Sequence, residues 1–102
     1  MTKKACNIYR VRYAQGKRKY ISHVEAQIIR DDGSSTGQKE LTRNDVIVKI
    51  NDGYATKTRI REHGDTYKDG ASVLVWSVKG VNYLKTEPND DEEDNLGELP
   101  LF

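Results

Sequence analysis

His23 and Glu25 stand two residues apart in a run whose side chains alternate, so an extended backbone places both on one face. A carboxylate beside an imidazole orients the ring and raises its pKa, which is the seed of general acid-base chemistry. Arg10 and Arg12 alternate in the same way in the preceding run, and a hairpin between the two runs would bring Arg10 or Arg12 beside them. The constellation stops there. Catalysis needs several groups converging in a pocket, and no nucleophile or oxyanion donor completes this one. His63-Gly64-Asp65 reads as a turn with incidental ligands, because two histidines and scattered acids do not make a metal site by spacing. Cys6, the single cysteine, has no partner for an intrachain disulfide and no second thiolate for zinc. Gly33 and Gly37 lack the preceding apolar strand and the following Lys-Ser or Lys-Thr of a phosphate loop. The reading is a non-enzymatic protein with no cofactor and no metal.

Binding is the better-supported class. Tyr9, Arg10, Arg12, Tyr13, Lys17, Arg18, Lys19 and Tyr20 mix cations with flat rings, the composition of a surface that neutralises phosphates and stacks bases. Against that, Tyr9 and Tyr13 alternate in phase with Val11 and read as core, and Lys17 to Lys19 read as a solvated turn. The candidate anion-binding set is Arg10, Arg12, Lys17, Arg18, Lys19, His23 and Gln27, with Glu25 on the same face. Nucleic acid is the first partner it suggests, with an acidic protein or a nucleotide ligand as alternatives. A different class is offered by Glu98-Leu99-Pro100-Leu101-Phe102, which resembles the Gln-led peptides ending in Leu-Phe that dock on the bacterial sliding clamp. Here Leu99, Pro100, Leu101 and Phe102 would form the docking peptide, although Glu98 replaces the amide with a charge. The competing reading is a C-terminal strand or lid anchored by Leu99, Leu101 and Phe102.

The elements that must position these residues follow from pattern. Cys6 to Tyr13 alternates, with Tyr9, Val11 and Tyr13 opposite Ile8, Arg10 and Arg12. Tyr20 to Ile29 alternates again, with Tyr20, Ser22, Val24, Ala26 and Ile28 opposite Ile21, His23, Glu25, Gln27 and Ile29. Together they predict an antiparallel hairpin. Asp31 to Gly37 is a polar loop with no apolar residue to bury. Thr42 followed by Asp45 resembles a capping box, and Val46, Ile47 and Ile50 follow at helical spacing before Gly53, which predicts one short helix over about 43–52. Tyr54 to Ile60 reads as an exposed or edge strand, Arg61 to Gly70 as turns, and Val73 to Val78, with the only tryptophan, as a central strand covered on both faces. Lys79-Gly80 turns the chain into a last strand, Val81 to Thr86. The sum is β-β-α-β-β-β, an α+β domain whose mainly antiparallel, twisted sheet carries the helix on one face.

With 102 residues the chain makes one domain over 1–86, followed by an acidic tail over 87–102 that is expected to pack on it at least in part. Apolar residues form 35% and charged residues 32%, polar for a folded domain but too rich in Val, Ile and Tyr for disorder. No apolar run approaches the roughly 20 residues that span a bilayer, and no signal-peptide core follows Met1, so the expectation is a cytoplasmic protein that does not engage membranes. The net charge of +1 conceals opposed ends. Residues 1–30 carry eight Lys or Arg against Glu25 alone, whereas 87–102 carry seven acids and no base. Such blocks either neutralise each other or face two partners, and blocks of like charge ordinarily stay solvated.

Tyr83-Leu84-Lys85-Thr86, then Pro88, Asp94-Asn95-Leu96 and Leu99-Pro100, resemble the ends of the domain of unknown function 3892 family, which read Y-L-x-T, an acidic spacer, D-N-L and L-P. The N-terminal hairpin, the Leu41-to-Gly53 segment and the apolar strand pair follow in a similar order, so the resemblance covers most of the chain. It implies a small α+β domain from bacteria or their phages, with no activity to carry over. It also implies that Leu96, Leu99 and Pro100 hold the tail to the domain. The strongly basic first hairpin and the acid run Asp90 to Asp94 depart from the pattern.

Overall fold

Two nine-residue strands, β1 (Ala5–Tyr13) and β2 (Ile21–Ile29), pair antiparallel in the computed structural model, which describes residues 4–14, 20–62, 64, 66–87, 93–96 and 99–102. Lys17, Arg18 and Lys19 lie outside the described residues, as do His63, Asp65, Pro88 and Glu98. After the hairpin come β3 (Lys39–Thr42), helix α1 (Arg43–Asn51), β4 (Ala55–Arg61), β5 (Tyr67–Ser72), β6 (Leu74–Val78) and β7 (Val81–Lys85). The domain is small and mostly sheet, with one short helix. A five-stranded sheet runs β3-β2-β1-β4-β5, and β6 and β7 form a separate antiparallel pair. Only β1 and β4 pair in parallel, over residues 5–8 of β1, so the larger sheet is mixed. Among the described residues no helix is long and apolar enough to cross a membrane.

The helix starts where the sequence says it should. Thr42 accepts from the Asp45 backbone N–H through its Oγ1 while the Asp45 carboxylate accepts from the Thr42 N–H, both at 3.1 Å, so two otherwise orphaned donors are satisfied reciprocally. Val46 is buried against the sheet, with Ile47 and Ile50 partly covered. Two elements are absent from the sequence reading. β3, Lys-Glu-Leu-Thr, is too short and polar to announce itself, and β5, in the stretch read partly as turns, contains no aliphatic run. The order is therefore β-β-β-α-β-β-β-β.

Strict alternation fails in the first hairpin for a local reason. Register shifts between Ile8 and Arg10 and between Arg12 and Tyr13 mark bulges, which place an extra residue in one strand and reverse the phase beyond it. Cys6, Ile8 and Val11 consequently share the core face with Ile28, Ala26 and Val24, all at 4% exposure or less. Tyr9 does not share the face of Val11, as its spacing suggested, and Ile8 does not share that of Arg10. In β2 the phase also breaks, so that Ile21 is buried together with Val24.

The most apolar run is not a central strand. β6 packs with β7 across the core face of the larger sheet, where Leu84 of β7 and Val73, just before β6, join the same hydrophobic cluster and Val75 packs against it, while Trp76 remains 39% exposed. Both edges of the large sheet belong to other strands, so the hairpin forms a second layer, and its apolarity serves one side. The tail closes that layer. Leu96 and Leu99 are buried, Asn95 bridges in parallel to Lys85, and Leu101 bridges in parallel to Val11. One face of the five-stranded sheet is thus covered by α1, β6–β7 and the tail. Among the described residues, no helix or strand is layered on the opposite face.

Candidate functional site

The uncovered face is built from polar positions of β1, β2, β3, β4 and β5. Paired residues share a face, so Arg10↔Glu25 and Arg12↔His23 place the predicted set Arg10, Arg12, His23, Glu25 together, joined by Gln27 opposite Asn7. On the β3 side Glu40 lies opposite Glu25; on the other, Lys57 lies opposite Asn7, and Arg59 opposite Asp69. Arg61 pairs with Tyr67. Lys57 and Arg59 fall within the strand expected over Tyr54 to Ile60, whereas Arg61 was read as the start of a turn segment and proves to belong to β4; the parallel β1–β4 pairing that brings all three to this face has no local signal.

Each carboxylate on the face already holds a cation. Arg10 grips Glu25 with Nε 3.1 Å from Oε1 and a second bond from Nη2, which raises its pKa above the ordinary value. Arg12 Nη1 approaches Glu40 at 3.6 Å and His23 Nε2 approaches the other oxygen of Glu40 at 3.8 Å. Lys57 Nζ lies 3.1 Å from Asp69, and Arg59 contacts the same carboxylate. The Lys57 hydrogen bond, followed by the charges of Lys57 and Arg59, holds Asp69 below the usual carboxylate range. His23 Nδ1 sits 3.1 Å from Ser22 Oγ, so the ring is held between a hydroxyl and Glu40 instead of beside Glu25. Among the described residues, no group of three or more His, Cys, Asp or Glu could hold a metal ion. Cys6 is fully buried, and burial pushes its thiol pKa to about 11, so it carries little thiolate near neutrality.

Aromatic rings interleave with these cations. Tyr9, the bulge residue, meets Tyr67 edge-on with centroids 4.9 Å apart and donates its hydroxyl to Gln27 Oε1 at 3.3 Å. Phe102 lies beneath both arginines, its ring 4.5 Å from the Arg12 guanidinium carbon and 5.5 Å from that of Arg10. The main chain holds it there. Val11 N–H donates to Pro100 O at 3.0 Å, Phe102 N–H donates to Val11 O at 3.2 Å, and Arg12 Nε donates to Phe102 O at 3.1 Å. β4 covers the β1 edge only as far as Ile8, and the C-terminal peptide takes the edge beyond it. Leu99 is buried and Leu101 is 55% exposed.

A second charge cluster is closed. Asp94, 2% exposed, accepts from Arg43 Nε at 2.7 Å and Arg43 Nη2 at 3.0 Å, and from the backbone N–H of Ile21 and of Leu84, both at 2.8 Å. Arg43, its pKa raised by that pairing, also donates to Asn82 O and lies 6.0 Å from the Tyr20 ring, which stacks on Tyr83. With every lone pair of the buried Asp94 carboxylate engaged, this cluster ties tail, helix, β2 and β7 together. Its geometry is structural.

Two hollows adjoin at the tail. The larger, 440 Å³, lies between β4, β5 and the tail, with Ile60, Ala71, Leu96 and Leu99 among its walls. The smaller, 280 Å³, opens on the polar face between Tyr9, Arg10, Tyr67 and Leu101. Arg61 and Pro100 line both. A family model described as "Protein of unknown function (DUF3892)" matches residues 7–100. No curated protein and no solved structure matches the chain.

Proposed function

The chain belongs to the DUF3892 family, a family of unknown function, and we propose from its geometry that it is a non-catalytic binding domain whose open sheet face takes an anionic partner, single-stranded nucleic acid first. The observation that carries the reading is the interleaving of Arg10, Arg12, Lys57, Arg59 and Arg61 with the rings of Tyr9, Tyr67 and Phe102 on one uncovered face. Guanidinium and ammonium groups would meet phosphates while the rings offer π-faces to bases, a combination that binds single strands with little sequence preference. The carboxylates Glu25, Glu40 and Asp69 do not prevent this. Their pairs are largely open to solvent, and exposed ion pairs contribute only about 0–1 kcal/mol, so phosphates can take over the cations at small cost.

The test is fluorescence anisotropy with a labelled single-stranded oligonucleotide at two salt concentrations. Binding that weakens between about 50 and 200 mM salt, with a log–log slope near −0.7 for each phosphate engaged, is the expected result. Absence of saturable binding at about 50 mM removes nucleic acid as the partner. The docking-adaptor reading makes a different demand, because Pro100 and Phe102 would have to leave Val11 before a partner could hold them. The single buried cysteine supports a cytoplasmic setting for either reading.

A further inference from the structure

We infer that the two adjoining hollows form one site for a small anionic amphiphile, with an unbranched apolar chain in the larger and its carboxylate on Arg61 where the two meet. The site shares Tyr9, Arg10, Arg61 and Tyr67 with the open face but does not rest on the nucleic-acid reading. The larger hollow, at 440 Å³, falls within the roughly 300–1,000 Å³ of small-ligand sites and is walled by Ile60, Ala71, Leu96 and Leu99. Thr58 and Thr86 also line it. Thr58 Oγ1 accepts from Ala71 N–H at 3.1 Å, so that hydroxyl does not call for a polar group on the ligand.

Charge enters only at the junction. Arg61 donates through Nε to Gly64 O, which fixes the guanidinium at the mouth through one of its five donors. Arg10 lies beyond it in the smaller hollow, and Glu25 there is already held by Arg10. A ligand that is apolar at one end and anionic at the other matches this order of walls. A neutral apolar molecule leaves Arg61 unused, and a compact polyanion leaves Ile60 and Leu96 facing water.

Calorimetric titration of the full chain with decanoate as monomer, decanol, and phosphatidylglycerol vesicles tests the site. Saturable one-to-one binding of decanoate is expected. Arg61→Ala should weaken decanoate by about fivefold, the scale of one partly exposed charge contact, and leave decanol unchanged. Ala71→Trp should fill the hollow and abolish binding of both; Ile60→Asn, at a position 42% exposed, should weaken both without relying on the bulky substitution to fold. The inference is overturned if decanoate does not saturate, if either folded wall variant binds like the native chain, if Arg61→Ala weakens decanol equally, or if only vesicles bind.

Discussion

At Asp94 four donors converge on one buried carboxylate: two from Arg43 and the backbone N–H groups of Ile21 and Leu84. Asparagine in its place leaves the partly exposed Arg43 guanidinium without its counterion and turns an NH2 group toward two of the four donors, a loss of about 2–3 kcal/mol, below the range for pairs in which both partners are buried. Asp94→Asn should therefore lower the urea midpoint by that loss divided by the slope, with the slope itself unchanged, since the surface exposed on unfolding stays the same. The sequence marked Asp94 as part of the D-N-L signature but not as a buried clasp. Asp94 ends a run of acids that reads as solvated, and the arginine that buries it is 51 positions away. Cys6 escaped the sequence for another reason: strict alternation put it in phase with Arg10 and Arg12, and the register shift between Ile8 and Arg10 separates it from them and leaves it in the core. Its thiol, with an ordinary pKa of 9.0, is raised to about 11, so the unfolded chain loses its proton first. The contribution is fully present below pH 9 and is lost as pH rises from 9 to 11, where the folded thiol also ionises. Denaturation midpoints should fall across that window and flatten there in Cys6→Ala; equal falls in both proteins would assign the effect to other groups.

The elements were legible where their signals are local. A cap made by Thr42 and Asp45 specifies its own helix start, and the observed Arg43–Asn51 agrees with the expected 43–52 within one residue. Strands are harder because their faces depend on partners. The bulge at Tyr9 reverses which side of β1 is buried, and no residue type near Tyr9 requires it. β6 has the composition of a central strand, yet that composition equally suits one layer of a two-layer stack. β5 is held by a fit instead of a pattern. A Cβ on Gly70 would stand 2.1 Å from Thr58 Oγ1 and 3.0 Å from Thr58 O, so even rotation of the threonine leaves a backbone contact that cannot yield. Gly70→Ala should cost about 1–3 kcal/mol, the range for overpacked sites. Because Thr58 Oγ1 also accepts from Ala71 N–H, amide exchange at Ala71 should quicken in that variant more than at Leu84. A uniform loss of protection would place the strain elsewhere.

At the scale of the molecule, the sequence showed a basic beginning and an acidic end, and the structure resolves part of that asymmetry into two different uses. Asp94 goes inward as a clasp, Leu96 and Leu99 complete the core, and Phe102 reaches the basic strand through its ring and its main-chain oxygen. The carboxylates that do meet the cations of the open face come from strands, Glu25 from β2, Glu40 from β3 and Asp69 from β5. Anionic partners would compete with these three, which sets the direction of the last prediction. Replacing Glu25 and Glu40 together by Gln keeps side-chain shape and hydrogen-bonding capacity but withdraws two negative charges from beside Arg10, Arg12 and His23. Exposed pairs of this kind contribute little stability, about 0–1 kcal/mol each, so the melting temperature should hardly move. Affinity for a single-stranded oligonucleotide should rise at low salt, and the salt dependence should steepen as freed arginines engage further phosphates. If affinity rises by the same factor at every salt concentration, the gain is not electrostatic. If it does not rise at all, the face between β1 and β3 is not where an anion binds, and Lys57, Arg59 and Arg61 on β4 become the cations to alter next.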